Sequence, residues 1–351
     1  MGGPRLTGLA GYLPAMPIWP HDDWQTSDPA PGTDADGIGR LLDRAFAQPP
    51  ELGLTLAVVA VQGGTVVAER YADDAGPDST FISWSMAKSM TQALVGMLVG
   101  DGRLDIDAPA DVPEWQHDGR ARITVRALLD MCSGLEFCED YVDAGSSHVI
   151  EMLFGAGMAD HATYAASFPL VAEPGTVWNY SSGTTNIVAR IAGRAIGTGR
   201  EDTERYLRDR LVGPLGMRST TPKFDDAGTF VGSSYVYATA RDFARFGYLY
   251  LHDGVWDGTR LLPDGWVDAA RTPVGPAVGP DERHGYGAHW WLWRHDPTVL
   301  AACGYEAQRI IVDPARDLVL VRLGKSPAEL GPAVDEWLDE VRNRFPTAAA
   351  R

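Results

Sequence analysis

Lysine is almost missing from this chain: 27 of its 30 basic residues are arginine, and only Lys88, Lys223 and Lys325 are lysine. Cysteine is scarce as well. Three thiols (Cys132, Cys138, Cys303) among 351 residues are an odd count, and reduced thiols in a cytoplasmic protein are expected. No His/Cys cluster has zinc spacing and no H-E-x-x-H pattern occurs, so no metal is expected. Phosphate-binding glycine signatures are absent, which removes nucleotide cofactors, and the missing G-x-S-x-G elbow argues against an α/β-hydrolase. Long apolar runs are lacking too. The longest weakly charged stretch, 86–100, is too short to span a bilayer and contains Lys88. Prolines at 14, 17 and 20 interrupt the N-terminus, so no secretory signal is read there. A net charge of −17 repels phosphate backbones and anionic lipid, leaving a small molecule as the expected partner, with no nucleic acid and no membrane.

What is present reads as an ordinary globular chain, 45% hydrophobic and 22% charged. Residues 1–35, rich in Pro, Gly and Asp, predict an extended arm. An amphipathic stretch at 37–47 predicts a helix, and two β-branched runs at 54–61 and 65–72, separated by Gln62, Gly63 and Gly64, predict a hairpin. Helical patterns then dominate at 86–100, 124–132, 183–196 and 202–211, the last with Asp202 and Thr203 where an N-cap is expected. Strand patterns return at 286–293, 308–314 and 318–323, followed by a helix at 328–345. Strands at both ends and helices between them predict an α+β architecture, an antiparallel sheet assembled from both chain ends and flanked by helices, with a mostly helical inserted domain.

Three segments carry possible chemistry. In 81–100, Ser85 opens a helix whose only ionisable side chain is Lys88. Arginine keeps its proton in proteins whereas a buried lysine gives it up, so a lysine here, in a chain that otherwise uses arginine, is pointed. Residues three apart share a helix face, and a lysine beside a serine is a route to an activated hydroxyl. A snorkelling or core-paired lysine is the plainer alternative. In 178–183, Tyr180 follows the Pro174-Gly175-Thr176 turn, placing a phenol where it can exchange a proton with Ser85 or a leaving group; a satisfied core tyrosine is the alternative. In 301–314, Gly304 lets a substrate approach the backbone, and the N–H groups of Ser85 and Tyr305 would form an oxyanion hole, unless this glycine is an ordinary bulge. Cys303 has no histidine close in sequence and is not read as a nucleophile.

In order and spacing these three elements resemble the penicillin-recognising serine hydrolases, which include class C β-lactamases, DD-peptidases and related esterases and amide hydrolases. Segments 123–135, 173–183 and 233–254 look like the same family. Glu139-Asp140-Tyr141-Val142-Asp143 and His289-Trp290-Trp291 look like its 6-aminohexanoate-dimer hydrolase branch. The resemblance implies a β-lactamase/DD-peptidase-like fold. A sheet domain of 36–84 plus 230–351 would face a mostly helical domain of 85–229, with the active site between them. It further implies Ser85 as the acylated nucleophile, Lys88 as its base, Tyr180 as general acid/base, and the amides of Ser85 and Tyr305 as oxyanion hole. Tyr141 would lie on a mobile loop that closes over substrate, with Glu139 a substrate contact.

Two departures bear on substrate. Ser182 stands where β-lactamases and DD-peptidases of this type have Asn, and Ala302-Cys303-Gly304 stands in place of K-T-G or H-x-G. Ser182, Cys303 and Gly304 therefore border a site without the cation that attracts a penicillin carboxylate. An ester or amide hydrolase with no cofactor is expected. The rivals are a non-catalytic ligand-binding protein on the same fold and an acyltransferase, since the acyl-enzyme is common to hydrolysis and transfer.

Overall fold

The computed structural model describes residues 17–141, 146–197, 199–279 and 282–347. Residues 1–16 of the expected arm, and Val142 and Asp143 of the branch-like segment, lie outside the described residues.

Seven antiparallel strands, β1 to β7 in chain order, form the main sheet: β1 (Leu54–Gln62), β2 (Thr65–Tyr71), β3 (Gly285–Gly287), β4 (Trp290–Leu292), β5 (Leu300–Gly304), β6 (Gln308–Asp313) and β7 (Leu318–Lys325). Their spatial order is β2-β1-β7-β6-β5-β4-β3. The sheet is thus assembled from both ends of the chain, as the pattern predicts. The β1–β2 connection turns at Gly63 and Gly64, both with positive φ (60° and 81°), the backbone a tight hairpin requires and glycine supplies without strain.

Alternation along the strands sends side chains to two separate cores. Ala57, Val59, Val61, Ile310, Val312, Val319 and Val321 face one core; Val58, Ala60, Ile311, Leu318 and Leu320 face the other. Five helices reach twelve residues or more among the described residues: α1 (Ala35–Phe46), α2 (Met86–Gly100), α3 (Ser182–Ile196), α4 (Ala240–Leu251) and α5 (Gly331–Arg342). The second core lies under α1 and α5, where Ile38, Leu41, Leu42, Val334, Leu338 and Val341 pack. The first is larger and holds α2, α3 and α4. In α2, 13 of 15 residues are buried, so it is a core helix with no polar face. Most of its buried polar groups are bonded, with Gln92 Nε2 left without a partner among the described residues. Ser89 Oγ donates to the His289 carbonyl at 2.8 Å, Thr91 Oγ1 to the Gly232 carbonyl at 2.9 Å, and Gln92 Oε1 accepts from Tyr250 Oη.

Three expectations are corrected. The run 286–293 is two strands, because His289 takes a left-handed backbone (φ 55°) and turns the chain between β3 and β4. The helix expected from Asp202 starts at Arg200 with Gly199 as its N-cap residue, and Asp202 instead sits in the first turn, paired with Arg205. Ser85 precedes α2 but makes no side-chain cap; its hydroxyl is engaged by Lys88. No described helix is long and apolar enough to cross a membrane.

Candidate active site

Ser85, Lys88 and Tyr180 meet at the N-terminal end of α2. Lys88 Nζ donates to Ser85 Oγ at 2.9 Å, to Ser182 Oγ at 2.8 Å and to the Ser233 carbonyl at 3.1 Å. It lies 4.9 Å from the centroid of the Tyr180 ring. Each partner is held by a local rule of folding. Ser182 opens α3, capped by the Ser181 hydroxyl, which accepts from Thr184 N at 2.9 Å. Ser233 is fixed through its own N–H, which donates to Asn186 Oδ1 on α3 at 3.2 Å. Three separate chain segments therefore converge on one ammonium group.

Lys88 is 2% exposed. Burial pulls its pKa down to about 8, opposed by the nearby charge of Glu139. Burial pushes the Tyr180 phenol well above its ordinary value, and the Glu139 charge pushes the same way, while Ser85 favours the ionised form. Glu139, expected as a substrate contact, has its carboxylate occupied. It accepts from Ser182 N at 2.8 Å, from Ser182 Oγ at 2.5 Å and from Tyr141 Oη at 2.5 Å. An unbroken chain of hydrogen bonds runs Tyr141–Glu139–Ser182–Lys88–Ser85. The carboxylate also sits at the N-terminus of α3, where the helix dipole favours negative charge.

On the other side of Ser85 lies the turn 304–307. Neither the Ser85 nor the Tyr305 N–H has a hydrogen-bond acceptor among the described residues, so both are available to a ligand. Gly304 packs against the chain preceding Ser85. A Cβ there would stand 2.3 Å from the Ser83 carbonyl oxygen, so what this glycine admits is the Ser83 backbone. Trp84 (φ 44°) and Glu306 (φ 58°) are both left-handed, and Trp84 Nε1 donates to Glu306 Oε2 at 3.0 Å, tying the two turns together. A cleft of about 550 Å³ opens here, bordered by Glu139, Tyr141, Trp178, Tyr180, Trp291 and Tyr305 among others. Tyr141 stacks on Tyr305 with centroids 5.2 Å apart. A wider cleft of about 750 Å³ beside His21, Arg208 and Trp256 holds none of the sequence-predicted site residues.

Cys303 packs against the core under α5, and burial raises its thiol to about 12, which disfavours the thiolate. All three cysteines are free. No described group of three or more His, Cys, Asp or Glu side chains is placed to hold a metal ion.

In the sequence His289 stands only within a branch-like run, without a role, and Arg309 is not singled out. His289 Nδ1 lies 2.7 Å from the Leu129 carbonyl and Nε2 lies 3.0 Å from Thr185 Oγ1, so the ring fastens the β3–β4 turn to the helical layer beneath α3. Burial drops its pKa to about 3, so it stays neutral and serves as a brace. Arg309 offered a weaker signal than Lys88, a charge beside the apolar run 310–312 in a strand that ends on Asp313.

With this geometry in place, the comparison with known families is direct: residues 42–341 match the sequence profile of the Beta-lactamase family, and the chain belongs to it. It is similar to a 6-aminohexanoate-dimer hydrolase of Paenarthrobacter ureafaciens, 29% identical over 361 aligned positions that cover 92% of this chain and 91% of that protein. Penicillin-binding protein 4 of Amycolatopsis lactamdurans is 29% identical over 255 positions, 62% of this chain and 64% of that one. Among solved structures, a penicillin-binding protein homologue from Caulobacter crescentus superposes with a TM-score of 0.69 at 18% identity, covering 91% of this chain and 99% of its own. A D-stereospecific amidohydrolase from Streptomyces gives 0.63 at 20% identity, covering 89% and 98%. Identities this low speak for the fold alone.

Proposed function

We propose that this chain is a serine hydrolase that cleaves an ester or amide bond of a small molecule through an acyl-enzyme on Ser85. The observation that carries the reading is the buried Lys88 ammonium 2.9 Å from Ser85 Oγ, with its pKa drawn down to about 8. In its neutral form Lys88 takes the Ser85 proton as Oγ attacks the carbonyl. The developing oxyanion is received by the N–H groups of Ser85 and Tyr305. Tyr180, kept protonated by burial, delivers a proton to the departing alcohol or amine, and then assists water in releasing the acyl group. The name of the Paenarthrobacter relative supports an amide as substrate. Ser182 and the Ala302–Gly304 segment weigh against penicillins, since neither offers the amide or cation that would hold one. A single Ser85 adduct is the expected result of labelling with a fluorophosphonate probe read by intact mass, lost in Ser85→Ala and Lys88→Ala. A well-folded wild-type chain that takes no label would overturn the assignment in favour of a non-catalytic ligand-binding protein.

The pH profile follows from the same base. Lys88 must be neutral to accept a proton, so kcat/KM for a short ester is expected to climb about tenfold per pH unit below about 8 and to level off above it. The Glu139 carboxylate favours the charged lysine, so Glu139→Gln should move that inflection to lower pH. A profile unmoved by the substitution would show that Glu139 does not act on Lys88.

A further inference from the structure

We infer that Arg309 is a positioning residue for the oxyanion site, its guanidinium orienting and polarising the peptide that presents the Tyr305 N–H. This rests on the reading above, in which that N–H receives the developing oxyanion. Arg309 lies on β6, directly across from Cys303 in the register of β5. Its Nη1 donates to the Gly304 carbonyl at 3.2 Å and to the Gln308 carbonyl at 3.0 Å, while Nε donates to Asp335 Oδ1 of α5 at 3.0 Å. The Gly304 carbonyl and the Tyr305 N–H belong to one planar trans peptide and point in opposite directions. Holding the carbonyl from behind therefore aims the N–H into the cleft. A cationic donor on the oxygen also withdraws electrons from the amide and strengthens its N–H as a donor.

The rest of the turn is built the same way. Arg322, the cross-strand partner of Arg309 on β7, donates from Nη1 to the Glu306 carbonyl at 2.9 Å and to the Ala307 carbonyl at 3.0 Å. Glu306 and Ala307 are the two left-handed residues of the turn (φ 58° and 59°). Four carbonyls between residues 304 and 308 thus face guanidinium groups, and the Tyr305 N–H faces the other way, without an acceptor among the described residues. Two guanidinium groups this deep are costly next to one paired carboxylate, Asp335, and apolar side chains would fill the space more cheaply. The third segment lacks a cation at Ala302; Arg309 brings one from the neighbouring strand, behind the oxyanion peptide.

The test compares wild type with Arg309→Met and Arg309→Gln, each full length, on a short p-nitrophenyl ester. Circular dichroism in the near ultraviolet establishes folding. Loss of one direct oxyanion donor costs about 10²–10³ in kcat, so a group acting through the peptide should cost about ten- to hundredfold, with KM little changed. Affinity for a boronic acid transition-state analogue should fall by the same factor. A folded variant of either kind whose kcat stays within twofold of wild type overturns the inference. So does a loss confined to KM, which would make Arg309, at the border of the cleft, a substrate contact. Fluorophosphonate labelling of wild-type Ser85 tests the underlying hydrolase reading separately: labelling together with undiminished kcat in the variants removes only the role of Arg309.

Discussion

Replacing Lys88 by methionine should lower kcat/KM by roughly 10⁴- to 10⁶-fold, the scale on which activated-serine enzymes lose rate with their base, and should at the same time make the protein more stable at neutral pH. The two effects have one origin. Methionine fills the volume without a titratable group, and arginine at this position would fail as a base because it keeps its proton. Lys88 has a folded pKa of about 8 against an ordinary value of 10.5. A basic group whose folded pKa is lowered binds its proton less tightly in the native state. Its cost, about 3 kcal/mol at 1.36 kcal/mol per pH unit, is fully present below pH 8. It shrinks as pH rises between about 8 and 10.5 and vanishes above that window. The wild-type chain should therefore gain stability across this interval relative to Lys88→Met, which lacks the slope. Orphaning the Ser233 carbonyl offsets part of the gain, while the Ser182 hydroxyl keeps its bond to Glu139. Thermal unfolding at pH 7 and pH 10, alongside ester turnover, checks both halves. A methionine variant with undiminished turnover would dismiss the base, and one with the wild-type pH slope of stability would dismiss the titration.

Gly304→Ala is the second substitution with a large expected effect. The added methyl would stand 2.3 Å from the Ser83 carbonyl oxygen and 3.1 Å from Gln308 Cβ. Both are held by main chain, Ser83 through its N–H to the Val236 carbonyl at 2.8 Å, so the two turns must separate. The proposed oxyanion amides lie on opposite sides of that contact, and spreading them should lower kcat by about 10²–10³. Overpacking of this kind also costs roughly 1–3 kcal/mol of stability. Turnover and melting temperature both fall if Gly304 sets the spacing; a melting temperature that falls alone would show that the amides are elsewhere in the mechanism.

Much of this organisation is legible in the sequence. The antiparallel sheet drawn from both ends followed from β-branched runs at 54–61 and 65–72 and strand patterns at 286–293, 308–314 and 318–323, and Lys88 stood out as the only ionisable side chain of 86–100. What escaped notice depends on contacts between distant segments. Nothing local reveals that Glu139, which borders the cleft, also accepts from Ser182 and Tyr141. His289 sits in a run of aromatic residues that read as one strand, and only its left-handed backbone and its bonds to Leu129 and Thr185 make it a corner brace. Gly304 was legible as a close-approach site, but its neighbour, the carbonyl before Ser85, comes from 221 residues upstream in the chain.

The pairing of β1 with β7 also bears on how the protein is made. Leu54 and Arg322 touch through a hydrogen bond spanning 268 residues. At ribosomal speeds of about 5–20 residues per second, the first hairpin waits roughly 10 to 50 s for its partner strand. During that interval β1 presents an unpaired edge and apolar side chains on both faces, a natural client for a chaperone. The turn at 304–307 and Arg322 emerge in the same late stretch, so hydrolytic competence would be among the last properties the nascent chain acquires.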